Sequence, residues 1–403
     1  MSLPKDVVAD YPMARASHTF DPPVTFSVRR EQDPVGKVKL WDGTEPWLIT
    51  RYADAQAVLT DERFSADPHT PGFPFITPAV KANLRFRQLM IRDDDPQHGR
   101  LRRMLNKDFM ARRMELLRPS VQRLVDGLVD DLIAGGEPGD LVKTFAIPLP
   151  SMVICLLLGV PYEDHGFFQQ RTLRVADRRT SEEGVKAANQ ELSEYMMRLV
   201  AAKDAEPGDD LVSRLVVEQY RNGAITQQEI ADLARMILVA GHESTAHMTA
   251  LSVLALLRHP DQLAELTAHP AKIPNAVEEL LRYLTVVHNG LPRAAKEDVE
   301  IGGQLIKAGE GLLVALPSAN RDDAAFPDAD RLDVDRPSPR HLTFGFGIHH
   351  CLGHYLARVE VQVAIETLFR RLPGLRLAIP FEQLEFRHQM AVYGVFELPV
   401  RWS

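Results

Sequence analysis

Two rhythms of apolar and polar residues run along the chain, and the helical one dominates. From Leu352 onward apolar residues recur at Leu356, Val359 and Val363, a spacing that puts them on one face of a helix. Thr226-Gln-Gln-Glu229 has the hydroxyl-to-acid spacing of a capping box, which predicts a helix from there to about Arg258, just before Pro260. Roughly 30 residues at the α-helical rise span on the order of 45 Å, longer than most globular helices. The spacing also predicts helices over 53–60 and 275–284, and long helices with short breaks from about 114 to 222. Asp93-Asp-Asp-Pro96 opens one more, with acids in its first turn. The strand-like rhythm is confined to short stretches. Val38 and Leu40, the Asp42-Gly43 turn, then Trp47 and Ile49 predict a hairpin. Residues 298–316 read as short strands around Gly302-Gly303, and 373–403 as terminal strands with a turn at Val392-Tyr393-Gly394. Phe64 to Phe75, rich in Pro, Gly and aromatic residues, reads as a loop at the edge of a pocket. The expected fold is mainly α with a small β region. With no repeat, low-complexity tail or linker in view, residues 1–403 read as a single domain.

Composition narrows the class. The net charge is −8, which argues against wholesale attraction to nucleic acid or to a membrane surface. Two cysteines, Cys155 and Cys351, make no disulfide framework and suit a reducing compartment. Met1 to Tyr11 has no apolar run, and the longest such run, Met152 to Val160, is far too short to cross a bilayer. A soluble, cytoplasmic protein without a membrane or nucleic-acid partner is the expectation.

Three strings carry candidate chemistry. In Phe344-Gly-Phe-Gly-Ile-His-His-Cys351-Leu-Gly353, one cysteine sits where a glycine-rich loop meets a helix start. Unpaired N–H groups there favour a thiolate, the form that binds metal. Gly345 and Gly347 permit close approach to a flat ligand, and Phe344 and Phe346 are placed to wall the sulfur from water. A lone cysteine is more often just a small buried side chain. In His98-Gly-Arg-Leu-Arg102 the outer pair is four apart on one helical face, which alone usually means surface charge. In Ala240-Gly-His-Glu-Ser-Thr245, polar residues interrupt the middle of the long apolar helix. There Gly241 and two hydroxyls that can bond carbonyls one turn back permit a kink. A zinc reading of His242-Glu243 fails. The next histidine, His247, is five residues on, about 140° round the helix, too far for both imidazoles to share a metal.

The first string resembles the heme-ligand loop of the cytochrome P450 superfamily, Phe-Gly-x-Gly-x-His/Arg-x-Cys-x-Gly. Phe344, Gly345, Gly347, His349, Cys351 and Gly353 all match. The resemblance implies that Cys351 is the axial ligand of heme b iron. It also implies that His98, Arg102, Arg293 and His349 serve the heme propionates. Ala240 to Thr245 then resembles the distal motif Ala/Gly-Gly-x-Asp/Glu-Thr-Thr/Ser, with Glu243 as the acid and Ser244 in the place of the usual threonine. Losing that methyl leaves the hydroxyl less fixed. Thr245, about 100° further round, is poorly placed to substitute. Glu279-Leu-Leu-Arg282 with Arg336 matches a buried structural triad. Pro148 to Pro161 and Pro207 to Leu211 resemble stretches of actinobacterial-type members, with Cys155 in the core.

The implied function is a monooxygenase that inserts one oxygen atom of O2 into a hydrophobic small molecule, with Glu243, Ser244 and water passing protons. A pocket lined by residues such as Phe73, Met236, Val287, Leu291 and Tyr393 is implied. No flavin, nicotinamide or iron–sulfur motif is present, so electrons are expected from a separate ferredoxin and its reductase. The basic residues Arg100, Arg103, Arg112 and Arg113 are the expected docking cluster. Two other classes fit the same ligand loop: a peroxide-using or rearranging heme-thiolate enzyme, which suits Ser244, and a heme-based gas-binding protein.

Overall fold

The computed structural model describes residues 8–15, 20–78, 81, 90–176, 180–337 and 340–403, and the fold is mainly α with small sheets. The chain groups into two compact units. One comprises Met1–Arg85, Ile91–Gly99 and Asn275–Cys351; the other comprises Phe86–Met90, Arg100–Pro274 and Leu352–Ser403.

In the first unit the short alternating stretches assemble into a six-stranded sheet, in the spatial order β1 (Ala9–Asp10), β2 (Val35–Lys39), β3 (Trp47–Ile49), β9 (Gly311–Val314), β6 (Leu291–Ala295) and β4 (Phe64–Ser65). The predicted hairpin forms from β2 (Val35–Lys39) and β3 (Trp47–Ile49), paired antiparallel with Val35 opposite Ile49. β3 pairs parallel with β9 (Gly311–Val314), Trp47 opposite Leu312. Side chains of a strand alternate between faces. Accordingly Val35, Ile49, Leu312 and Val314 enter one apolar cluster, and Val38, Leu48 and Leu313 enter another. The sheet is covered on both sides. β7 (Val299–Ile301) and β8 (Gln304–Ile306) form the hairpin expected around Gly302-Gly303. One reading needs correcting. Phe64–Ser65 is not loop but a strand, β4, whose Phe64 pairs with Ala295 of β6 (Leu291–Ala295). Two residues are too few to show a period in sequence, and pairing alone defines them.

The second unit is built on the long helix, Gln227–Arg258, of 32 residues. Its capping box is complete: Thr226 Oγ1 accepts from the Glu229 amide (3.1 Å), and the Thr226 amide donates to Glu229 Oε2 (3.0 Å). Helices Pro148–Leu158, Glu182–Ala205 and His354–Arg371 pack around it, and Ala111–Gly135 packs on His354–Arg371. An apolar residue on nearly every side marks a helix enclosed by others. Gly241 lies inside an unbroken α-helical run. A Cβ there would fall 2.4 Å from Ile154 Cδ1, so the glycine serves the close crossing of two helices. The terminal strands β10 (Arg376–Leu377) and β11 (Pro399–Arg401) pair with each other, and β11 with β5 (Gly139–Asp140). Among the described residues no helix is long and apolar enough to cross a membrane.

Candidate active site

The loop carrying Cys351 is held by the polypeptide itself. The Cys351 amide donates to the Phe344 carbonyl (2.8 Å), and the Gly345 amide to the Leu342 carbonyl (2.8 Å), closing two turns around a short 3-10 segment, Gly347–His349. Gly345 and Gly347 adopt φ of 71° and 70°, where only glycine is unstrained. At Gly347 a Cβ would lie 2.2 Å from the Leu59 carbonyl oxygen, so its bareness serves a neighbouring helix end as well as the turn. Helix His354–Arg371 begins three residues after Cys351, with Gly353 at its N-cap. Phe344 is half-buried, but Phe346 is exposed and does not wall the sulfur.

The stretch before this loop is anchored on a buried ion cluster. Glu279 receives Arg282 through two bonds (2.7 and 2.8 Å) and Arg336 Nε at 3.1 Å from both carboxylate oxygens. One acid faces two cations, and the surplus N–H groups go to main-chain carbonyls. Arg282 donates to Asn320, Ala329 and Arg331, and Arg336 to Pro327, Asp328 and Arg331. Buried charges persist only when every donor is met in this way. The fully buried Asn320 passes the constraint on: its Oδ1 accepts from the Leu342 amide (2.7 Å), and its Nδ2 donates to Thr343 Oγ1 (2.9 Å). No sequence signal singled out Asn320.

In the same unit His98 is buried, its ring 4.3 Å from that of His349 between centroids, with Nδ1 3.5 Å from Asp95 Oδ1. Arg293 is buried on β6, and its Nη1 donates to the adjacent Pro292 carbonyl (2.8 Å). Burial, reinforced by the like charge of Arg92, pulls the Arg293 guanidinium down to about 10, against the opposing pull of Asp94. Burial pulls Arg92 to about 10 as well, and its guanidinium lies 5.7 Å from the Phe73 ring centroid. Arg92 was missed in sequence because it sits outside the His98–Arg102 spacing. Arg102 falls in the other unit, where its Nε donates to Asn106 Oδ1 (3.0 Å).

On the long helix, burial separates the candidate residues. From Leu233 to Leu256 every residue is buried except Val239, Ala240, Gly241 and Ser244. Ala240 and Ser244, one turn apart, therefore form an accessible window on an otherwise enclosed helix. Ser244 Oγ donates back to the Ala240 carbonyl (3.1 Å). Thr245 is buried, turned away from that window. Glu243 is buried too, with Oε2 accepting from Arg387 Nη2 (2.9 Å). His242 and His247 face different neighbours. The His242 ring nitrogens lie 2.8 Å from Thr172 Oγ1 and 3.2 Å from the Ile147 carbonyl oxygen, while His247 packs against Gly394. Tyr393, expected at the pocket, is fully buried and stacks on Phe386.

The expected basic cluster is half consumed by internal pairing. Arg100 donates to the Ala224 carbonyl (2.8 Å) and forms an ion pair with Glu229, and Arg113 pairs with Asp209 (3.1 Å). Arg103 and Arg112 stay exposed.

Known proteins are similar to this chain in sequence and in fold. The cytochrome P450 family profile matches residues 273–373. The chain is 55% identical over 383 residues to cytochrome P450-SU2 of Streptomyces griseolus, covering 95% of this chain and 94% of that one. It is 46% identical to pentalenic acid synthase of Streptomyces avermitilis, covering 95% of each. The crystal structure of GfsF superposes with a TM-score of 0.93 at 44% identity, covering 98% of this chain and all of that one. The mycinamicin VIII C21 methyl hydroxylase MycCI of Micromonospora griseorubida, bound to mycinamicin VIII, gives 0.92 at 40% identity over the same shares. The chain belongs to the cytochrome P450 family. It is a P450 monooxygenase, with heme b as cofactor and O2 as co-substrate. The donors present suit that group: one cysteine sulfur on a preset loop, and two desolvated cations, the buried Arg293 and the half-buried Arg92, whose charges call for an anion such as a propionate.

Proposed function

We propose that this monooxygenase hydroxylates a hydrophobic small molecule of macrolide or terpenoid size, using electrons from a separate ferredoxin and reductase. The names of its relatives support the substrate class: pentalenic acid synthase, a mycinamicin hydroxylase and a 20-oxo-5-O-mycaminosyltylactone 23-monooxygenase. Heme b, when bound, supplies oxygen activation and insertion. Cys351 is its iron ligand in this reading, and His98, Arg102, Arg293, Phe344, Gly345, His349 and Gly353 bind or frame it.

The chain's own part is to position substrate and to move protons. Ser244 Oγ presents a hydroxyl at the accessible window beside Ala240, and Glu243, one position earlier, is the acid that replenishes it through water. Thr245, enclosed on another side, supports the backbone there. The observation that carries this reading is that window, a hydroxyl and a small residue left open, with Val239 and Gly241 beside them, on a helix buried from Leu233 to Leu238 and from Thr245 to Leu256. The test is the yield of hydroxylated product per reducing equivalent consumed. Ser244→Ala should divert electrons into peroxide or water and lower that yield several-fold, with the Soret band of the carbon monoxide complex unchanged. Unaltered coupling in this variant would refute the proton role. Product formed from peroxide without any electron donor would instead identify a peroxide-using enzyme.

A further inference from the structure

A cavity of about 290 Å³ lies within the second unit, bounded by apolar residues such as Val142, Leu173, Met390 and Val395. Polar residues interrupt that lining: Gln169; His247, one helical turn after Glu243; and Arg387, the ion-pair partner of Glu243. The exposed Lys143 stands at its edge and opens it toward solvent. His247 is 1% exposed, yet neither ring nitrogen has a protein partner, and Arg387 Nε is likewise unmatched. Buried polar groups are almost always satisfied, by protein or by ordered water. The cavity has room for about ten waters at their liquid volume of ~30 Å³ each, and its polar atoms supply the partners that water needs.

We propose that this cavity is a hydrated intake through which Glu243 regains protons from bulk solvent, with His247 and Arg387 as positioning residues. The inference rests on the proton role given to Glu243 above. A proton leaves hydronium at the Lys143 edge, passes along hydrogen-bonded water, and ends on the Glu243 carboxylate. Each water accepts one proton and releases another, so no electrons move and no other species is consumed. His247 suits this task because its imidazole is neutral. Burial, with Arg387 and His242 adding to it, keeps its pKa well below the usual histidine range. A neutral ring offers water one donor and one acceptor without trapping the charge in transit. Arg387, which lines the cavity, links it to the Glu243 carboxylate through its 2.9 Å bond. Gly394 fixes the imidazole, since any Cβ there would lie 2.3 Å from Nδ1.

The experiment compares the heme-loaded enzyme with His247→Leu, His247→Gln and Leu173→Trp. His247→Leu removes the polar ring. His247→Gln keeps a donor and an acceptor. Leu173→Trp fills the cavity without altering His247 or Arg387, so one line of evidence survives if the leucine variant misfolds. His247→Leu and Leu173→Trp should each lower product per reducing equivalent several-fold and enlarge the solvent deuterium isotope effect on turnover, and His247→Gln should restore both. Independently of activity, a crystal structure of the loaded protein should show water bonded to the His247 ring and continuous with the Lys143 edge. A dry cavity overturns the proposal. Normal coupling in the leucine and tryptophan variants while Ser244→Ala uncouples also overturns it, and leaves the proton role of the window intact. Normal coupling in all of these variants overturns both.

Discussion

Histidines on the long helix are neutral at working pH because burial makes them so, and this has a thermodynamic cost. Desolvation lowers His242 from 6.5 to about 4; the Ile147 carbonyl pulls the other way and Arg387 adds to the lowering. The unfolded chain therefore binds a proton between those values that the folded chain refuses. Stability from this residue is full above about pH 6.5 and is lost as pH falls toward 4, by on the order of 3 kcal/mol. His242→Gln should flatten that part of the denaturation midpoint against pH, measured from pH 4.5 to 7. What was legible at this scale followed sequence distance. Phe344 to Gly353 and His98 to Arg102 could be read because their parts are neighbours in the chain. Arg387 could not, because it meets Glu243 across 144 positions, and nothing local to either residue announces the pair. The same holds for Asn320, whose amide reaches Leu342 and Thr343 over a turn that only the folded chain makes.

Elements were readable where their ends are written locally. Thr226 and Glu229 satisfy each other's backbone donors, so the start of the longest helix was set by four residues. Thr226→Ala should cost about 1 kcal/mol, read as a lower guanidinium midpoint at unchanged slope. Glu229 also pairs with Arg100, which keeps the acid in place in that variant and limits the loss to the cap. Strand β4 was illegible for the opposite reason, since its existence depends wholly on β6 beside it. Gly241 was read as a point of flexure, and the structure gives it a steric task instead, because Ile154 comes from another helix and leaves no mark on the glycine's own neighbourhood. Of the two hydroxyls that can bond a carbonyl one turn back, Ser244 does so, although its place in the motif favoured a free donor there over Thr245.

For the whole molecule, the relevant quantity is charge against a mobile partner. The chain carries −8 overall, so the ferredoxin proposed as its electron donor would, if acidic, need a local basic feature to dock on. With Arg100 and Arg113 engaged internally, Arg103 and Arg112 are the exposed remainder. Reversing both to Glu should raise the apparent KM for ferredoxin steeply at low ionic strength, and progressively less as salt is added. An unchanged KM would place docking elsewhere. The mainly α architecture was plain from periodicity, whereas surface pairing that cancels half a basic cluster is a property of folded neighbours alone. The clamp around Glu279 has one more implication. Arg282 and Arg336 draw their remaining partners from the main chain between Asn320 and Arg331, so the segment leading to the sulfur is fastened to Glu279 at several points. One carboxylate on the helix Ile273–Leu284 thus ties two distant stretches of chain together, so a change at that single position loosens both at once.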